Sequence, residues 1–289
     1  MSFQRKVERN LKAVETPPAK KERVFVAVLC VDDYVHCAIK QFAQLADRVG
    51  ADPRSPWSFE FKDYPGLRPV WYARNRAVRD FLDSDCERLL FLDHDMIPTA
   101  ETLAILHSDA DVVAPRMNAF KRNPDGSPRM EICAYRYNIL GDNRCNGILI
   151  PPDAVPPPIA VDAVGTGCMA IRRRVLEDRA MWNAMTYEWC GETMSLDDED
   201  ERKRPEWAPP VFRMIHKPNG EHLRGEDLDF CLRSGKAGYK VVAALGVPCG
   251  HAKVVNLDDM ATLEHNALRS VKPDMPGAQS RAVAAAQRG

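Results

Sequence analysis

The sequence lacks any long hydrophobic run and any excess of charge of one sign. No apolar stretch approaches the roughly 20 residues that a membrane-spanning helix needs. Residues 1–21 are polar and charged, without the apolar segment of a secretion signal. The 40 Lys and Arg residues are balanced by 41 Asp and Glu, for a net charge of -1, so global charge does not favour nucleic acid or a membrane surface as a partner. These absences predict a soluble, cytoplasmic protein.

Paired cysteines are also lacking. The nine cysteines are odd in number and scattered, and no two of them form a C-x-x-C pair. This pattern argues against a disulfide framework and against a zinc site of four thiolates. It is typical of a protein from a reducing compartment.

The 289 residues alternate strand-like and helix-like segments, which predicts a three-layer α/β/α sandwich around a mostly parallel, Rossmann-like central sheet. Residues 1–22 are expected to form a flexible N-terminal arm and residues 257–289 a peripheral or disordered tail. Between them we expect one domain, residues 23–256, with halves at about 23–117 and 118–256. A helix is expected from Arg172 to about Met185.

One buried strand ends in two carboxylates. Leu89 to Leu92 is a continuous apolar run, typical of a strand buried on both faces, and Asp93 and Asp95 follow it. Positions i and i+2 of a strand point to the same side, and ligands of open α/β sheets bind at the carboxyl ends of strands. The two acids therefore suit a hard divalent cation. The alternative is a polar turn after a core strand.

Three further points place polar side chains where strands end or helices begin: Asp32, Glu226 with Asp227, and His251. Each has an alternative explanation as a turn, a helix N-terminus that favours acids, or a structural histidine. Together with the two acids after the buried strand, they suggest mixed oxygen and nitrogen ligation without thiolate, which suits Mn²⁺ or Mg²⁺.

Five segments of the chain resemble motifs of GT-A fold glycosyltransferases, and they occur in the same order. The resemblance is to family 2-like members of the compact type found in phages and bacteria. The resemblance covers residues 24–253. In chain order the segments are Arg74-Asn75 (the R-N pair), Leu90 to Asp95 (the D-x-D motif), Gly165 to Arg173 (G-x-G-x-x-x-I-R-R), Gly225 to Cys231 (the E-D motif) and Gly250-His251.

The resemblance implies a transfer of a sugar from a UDP- or GDP-linked donor to a hydroxyl acceptor. It implies nucleotide binding by Asp32, Arg74, Asn75 and Asp93. It also implies that Asp93, Asp95 and His251 are ligands of the metal ion.

The resemblance also makes Asp227, or else Glu226, the general base of an inverting transfer. A helix N-terminus is expected to lower the pKa of such a carboxyl and weaken the base. A retaining enzyme, in which the carboxylate orients a substrate, stays open as an alternative.

The acceptor is not identified, because residues 118–160 and 183–222 match no family pattern. Gly167 and Trp207 are candidate sugar contacts, and a nucleic acid acceptor has no support from the charge balance. Residues 190–208 are expected to be a polar loop or, alternatively, a lid.

Two other function classes remain. A nucleotidyltransferase would carry a glycine-rich, basic loop after the first strand, where this chain has Val31 to Tyr34 without glycine. A non-catalytic binding protein on the same fold would be expected to have lost the acids.

Overall fold

The computed structural model describes residues 20–30, 37–123, 125–137, 156–182, 208–215 and 224–252. For residues 145–147, 186–189, 192–195, 216 and 222–223 it describes the backbone alone. The chain divides into two compact units, residues 1–117 with 132–252 and residues 118–131 with 253–289. Several predicted features lie outside the described residues: Asp32, Trp207, the start of the predicted arm, the predicted tail and most of residues 190–207.

A seven-stranded sheet is the framework of the first unit. In spatial order its strands are β10 (Ile159–Ala160), β17 (Val241–Pro248), β5 (Val112–Arg116), β12 (Cys168–Arg172), β3 (Arg88–Asp93), β1 (Glu22–Cys30) and β2 (Trp57–Pro65). Strands β1, β2, β3, β5 and β17 run in one direction, whereas β12 and β10 run in the other. The predicted α/β class with a mostly parallel central sheet is confirmed.

The central strands are buried because their sequences are apolar on both faces. Residues 24–30 of β1 and 88–92 of β3 are buried without interruption. Such continuous apolar runs are what a parallel sheet covered on both faces requires. The sheet therefore holds the end of β3, with Asp93, in a fixed place.

Four helices are described: α1 (Cys37–Ala51), α2 (Val70–Asp83), α3 (Arg173–Glu177) and α4 (Glu226–Lys236). Two 3-10 helices span Ala100–His107 and Arg179–Met181. The α1 helix buries Ala38, Ile39, Phe42 and Ala46, a spacing that places them on one face. Among the described residues, every helix is too short or too polar to span a membrane.

The helix predicted from Arg172 to about Met185 was wrong in its length. The α3 helix ends at Glu177, and Asp178 adopts an extended conformation. The Asp178 carboxylate accepts a hydrogen bond of 2.9 Å from the Ala180 amide and so begins a separate 3-10 turn. Local capping by an aspartate competed with the longer helix.

Arg173 explains the R-R part of the G-x-G-x-x-x-I-R-R segment structurally. Its guanidinium donates to the carbonyl oxygens of Phe81 at 2.8 Å, Ser84 at 2.6 Å and Cys86 at 2.7 Å. These carbonyls lie at the carboxyl end of α2 and just after it. Because a helix leaves its last carbonyls without intrahelical partners, Arg173 fixes α2 against the sheet.

Short pairings complete the description. In the first unit β4 (Met96–Ile97) pairs with β18 (Gly250–His251), and β8 (Ala134–Tyr137) lies between β9 (Cys145–Gly147) and β11 (Ala163–Val164). Two further ribbons are β13 (Thr186–Trp189) with β14 (Glu192–Ser195) and β15 (Ile215–His216) with β16 (His222–Arg224). In the second unit, the described residues form a ribbon of β6 (Asn118–Arg122) with β7 (Pro128–Ile132).

Candidate functional site

Strand direction gathers the predicted site at one edge of the sheet. The parallel strands β1 and β3 both end there, and Leu29 pairs with Asp93. Since β12 runs antiparallel to β3, it begins where β3 ends, and the Asp93 amide donates to the Gly167 carbonyl oxygen at 2.8 Å. The β17 strand runs parallel to β5 and leads into His251.

Arg74 joins two of the predicted acidic motifs. It lies in the second turn of α2 and is 2% exposed. Its Nη1 and Nη2 each lie 3.1 Å from an Asp93 carboxylate oxygen, a bidentate arrangement that is among the stronger ion-pair geometries. Its Nε lies 3.4 Å from Glu226 Oε1. Burial acts to lower the pKa of Arg74, but Asp93 and Glu226 outweigh burial and raise it.

The E-D motif opens helix α4. Gly225 precedes the helix, and a Cβ at Gly225 would lie 2.8 Å from Asp227 Oδ1, closer than real Cβ contacts allow. The same Oδ1 accepts a hydrogen bond of 2.8 Å from the Leu228 amide. Glycine at this position therefore gives the Asp227 carboxyl its room.

The Asp227 carboxyl keeps its proton to a higher pH than an ordinary aspartate does. Burial, together with the negative charge of Glu226, raises the pKa of Asp227 to about 6, although the Leu228 amide and Arg74 act in the opposite direction. The expectation that the helix N-terminus lowers this pKa was wrong, because desolvation of the carboxylate outweighs the favourable helix end. Glu226, by contrast, is paired with Arg74.

Asp95 and His251 lie together. Asp95 Oδ2 is 3.0 Å from His251 Nε2, and both side chains are about one-fifth exposed or less, at 21% and 15%. The β4–β18 pairing that brings them together matches His251 with Met96. The Ala252 amide also donates to the Asp95 carbonyl oxygen at 2.8 Å.

The structure thus assembles two of the three predicted metal ligands. Asp93 directs both of its oxygens to Arg74 instead. Within the described residues, no three His, Cys, Asp or Glu side chains form a group that could hold a metal ion. An oxygen and an imidazole nitrogen at one point do fit a divalent cation that takes its remaining ligands from a diphosphate and water.

Asn75 lies beside Arg74 but faces another segment. Its amide nitrogen donates to the Phe212 carbonyl oxygen at 2.9 Å, and its oxygen accepts from the Phe212 amide at 2.8 Å. Asn75 is 1% exposed. It therefore binds residues 208–216 to α2.

Sequence reasoning missed Asp229, a buried carboxylate in α4 that is 3% exposed. Its oxygens lie 2.8 Å from Arg233 Nε, 3.2 Å from Arg213 Nε and 3.6 Å from Arg224 Nη1. Arg233 also donates to the Val211 carbonyl oxygen. No sequence pattern separates Asp229 from an ordinary acid in the first turn of a helix.

Gly167, a predicted sugar contact, lies next to the acidic end of β3. A Cβ at Gly167 would lie 3.1 Å from the Met96 side chain and 3.6 Å from Asp93 Oδ2. The predicted nucleotide contact Asp32 and the predicted sugar contact Trp207 fall outside the described residues.

No protein-family model and no curated protein sequence matches the chain. Solved structures do match. A197 from STIV is 16% identical, with a TM-score of 0.41, over 80% of this chain and 86% of that one. GalNAc-T7, solved with UDP, GalNAc and Mn²⁺, is 11% identical, with a TM-score of 0.41, over 82% of this chain and 45% of that one.

A third match is a glycosyltransferase involved in the glycosylation of the major capsid of PBCV-1. It is 13% identical, with a TM-score of 0.27, over 57% of this chain and 71% of that one.

Proposed function

We propose that the chain is a metal-dependent glycosyltransferase that moves a sugar from a nucleoside-diphosphate sugar to a hydroxyl group of an acceptor. The observation that carries the proposal is the meeting of two acidic motifs, 19 and 152 residues from Arg74 in sequence, on the Arg74 guanidinium at the carboxyl edge of the sheet. Such an edge is where α/β sheets bind nucleotides.

The donor side of the site comprises Asp93, Asp95 and His251. We propose that Asp95 and His251 hold Mn²⁺ or Mg²⁺ and that Asp93, whose amide donates to the Gly167 carbonyl oxygen, faces the nucleotide. The cation supplies charge neutralisation for the leaving diphosphate. Asp32, which follows β1 in the sequence, is proposed to contact the nucleotide.

Asp227 is proposed as the general base of an inverting transfer. It takes the proton of the acceptor hydroxyl while that oxygen bonds to the anomeric carbon, and the bond from that carbon to the diphosphate oxygen breaks. The electron pair leaves with the nucleoside diphosphate. A pKa of about 6 leaves Asp227 mostly ionised at neutral pH yet still basic enough to accept the proton. Glu226 is less suited because Arg74 is its partner.

A thermal-shift screen tests the donor side. Wild-type protein with Mn²⁺ and either UDP or GDP should unfold at a higher temperature. With ligand at 100 times its Kd the gain is about 2.7 kcal/mol, or roughly 5–10 °C for a domain of this size. Asp95→Ala and His251→Ala should remove the shift.

His107→Ala is the matched control for His251→Ala. His107 packs edge-on against Trp57, with ring centroids 5.4 Å apart, at the start of β2 and away from the carboxyl edge. Its variant should keep the shift. A wild type that gains no stability with any nucleoside diphosphate and Mn²⁺ would contradict the proposed function. Once a donor is known, the anomeric configuration of the product, read by NMR, tests inversion.

A further inference from the structure

Every guanidinium nitrogen of Arg74 contacts a carboxylate of the protein, which is not expected of a residue that binds the nucleotide. Its three guanidinium nitrogens contact Asp93 or Glu226, and its guanidinium carbon lies 5.3 Å from the centre of the Phe91 ring. With 2% exposure, it offers no surface to a ligand. Its contacts instead run from the end of β3 to the start of α4.

We propose that Arg74 is the positioning residue of this site, holding the carboxylate at the end of β3 and the carboxylate at the start of α4 on one buried guanidinium. The inference deepens the proposed function, which identifies the two carboxylates as belonging to the donor side and the base side. The coupling between them is a property of the fold and can be measured without a substrate.

A planar fork suits this task because it binds one carboxylate with two nitrogens and still presents Nε to a second. The distance between the two halves of the site then depends on one rigid group. Misplacement of reacting groups by about 1 Å can cost on the order of 100-fold in rate. Arg74 would thus act on catalysis without touching either substrate.

The same geometry determines the charge around Asp227. Among the residues that the structure describes, the charged groups that act on it are Glu226 on its own helix and Arg74 on α2. With Arg74 in place, Glu226 is paired, and the positive charge of Arg74 favours ionisation of Asp227. Without Arg74, Asp227 would keep its negatively charged neighbour Glu226 but lose the opposing positive charge, which raises the pKa of Asp227 further.

The experiment measures the pH at which Asp227 ionises, from the stability difference between each protein and its Asp227→Asn variant across pH 4–9. In the wild-type background the difference should change around the pKa of Asp227. In the Arg74→Met background we expect this midpoint to move up by about one pH unit or more, the size that a nearby opposite charge gives.

Arg88→Met is the matched control. Arg88 is also a buried arginine, 3% exposed, with a carboxylate partner, Glu22, and an aromatic neighbour, Trp57, but it lies at the start of β3. Its loss should leave the Asp227 midpoint unchanged. An unchanged midpoint in Arg74→Met, or an equal shift in Arg88→Met, would overturn the coupling.

Arg74→Lys covers the case in which Arg74→Met does not fold. Lysine keeps the charge but cannot bind both carboxylates in the same plane, so kcat should fall by about 10-fold or more while KM for the nucleotide sugar stays within about twofold. A raised KM with unchanged kcat would make Arg74 a nucleotide contact and refute positioning. A shifted midpoint in a protein that transfers no sugar would retain the coupling and refute the proposed function.

Discussion

At the scale of single residues, Asp227 shows that surroundings rather than position in a helix decide what a carboxyl can do. It stands in the first turn of α4, where the helix end favours the ionised form. Burial and the adjacent Glu226 nevertheless raise its pKa to about 6. Ionisation of Asp227 in the folded protein therefore lowers the free energy of unfolding, and this loss can be measured.

Asp227→Asn should stabilise the protein at pH 8. Because the folded-state pKa of this acid exceeds its unfolded value, stability falls as pH rises from about 4 to about 6. The shift from 3.8 to about 6 corresponds to about 3 kcal/mol as an upper limit. Urea unfolding should show this gain at pH 8 and little of it at pH 4.

Asp109→Asn is the control for that prediction. Asp109 is 85% exposed and lies 3.0 Å from Lys240 Nζ, and this contact lowers the pKa of Asp109. Its stabilising effect is therefore present at high pH and lost as pH falls, so the variant should not gain stability at pH 8. Equal behaviour of the two variants would show that burial does not control Asp227.

Gly225→Ala should impair the site with little effect on folding. The added Cβ would meet Asp227 Oδ1 at 2.8 Å, so the carboxyl must turn away from its present place. We expect transfer to fall about 10-fold or more, with metal-dependent nucleotide binding retained in the thermal-shift assay.

Gly235→Ala is the comparison within the same helix. Apart from its chain neighbours and the backbone of its own helix, no described atom lies within 4 Å of a Cβ at Gly235, and alanine in a helix is favoured over glycine by roughly 0.5–1 kcal/mol. This variant should be slightly more stable and fully active. Loss of activity in both variants would point to α4 as a whole rather than to the room around Asp227.

At the scale of elements, residues 208–216 pack between two helices of the candidate site although they form little regular structure. Phe212 stacks on Phe230, with ring centroids 4.6 Å apart, and packs edge-on against Phe91 at 5.5 Å. Asn75 binds the Phe212 backbone on the α2 side, and Asp229 contacts Arg213 on the α4 side. The segment therefore links the two helices that carry Arg74 and Asp227.

Asn75→Leu should loosen this link. The change keeps the number and branching of the side-chain heavy atoms but leaves the buried Phe212 amide and carbonyl without their partners, which costs about 1–3 kcal/mol for each group. We expect roughly 2–6 kcal/mol lower stability in urea unfolding and faster hydrogen exchange at the Phe212 amide. Asn123→Leu, in the turn between β6 and β7, removes one partly exposed hydrogen bond to Ser127 Oγ and should cost about 1 kcal/mol or less.

Element boundaries separate what local sequence can predict from what it cannot. The strands around Val24 and Leu89 follow from apolar runs, and α1 follows from its spacing of buried residues. The early end of α3 depends on the Asp178 carboxylate turning to the Ala180 amide, one local choice among several. The β4–β18 pairing depends on residues about 150 positions apart and leaves no periodic signal.

At the scale of the whole molecule, the site depends on the order of strands in the sheet. Because β12 lies antiparallel between β3 and β5, its first residue stands at the same edge as the carboxyl ends of the parallel strands. Asp93, Gly167 and His251 approach that edge from different parts of the chain. Helix α2, held by Arg173, then places Arg74 there.

The sequence by itself determined the α/β class and the identity of the acids and histidine, since burial patterns and strand ends are local properties of the chain. Only the tertiary structure decided how those groups are shared. It paired Asp95 with His251, gave Asp93 and Glu226 to Arg74, turned Asn75 toward Phe212 and raised the pKa of Asp227. The physical reason is that ion pairing and desolvation depend on distances between residues far apart in the chain.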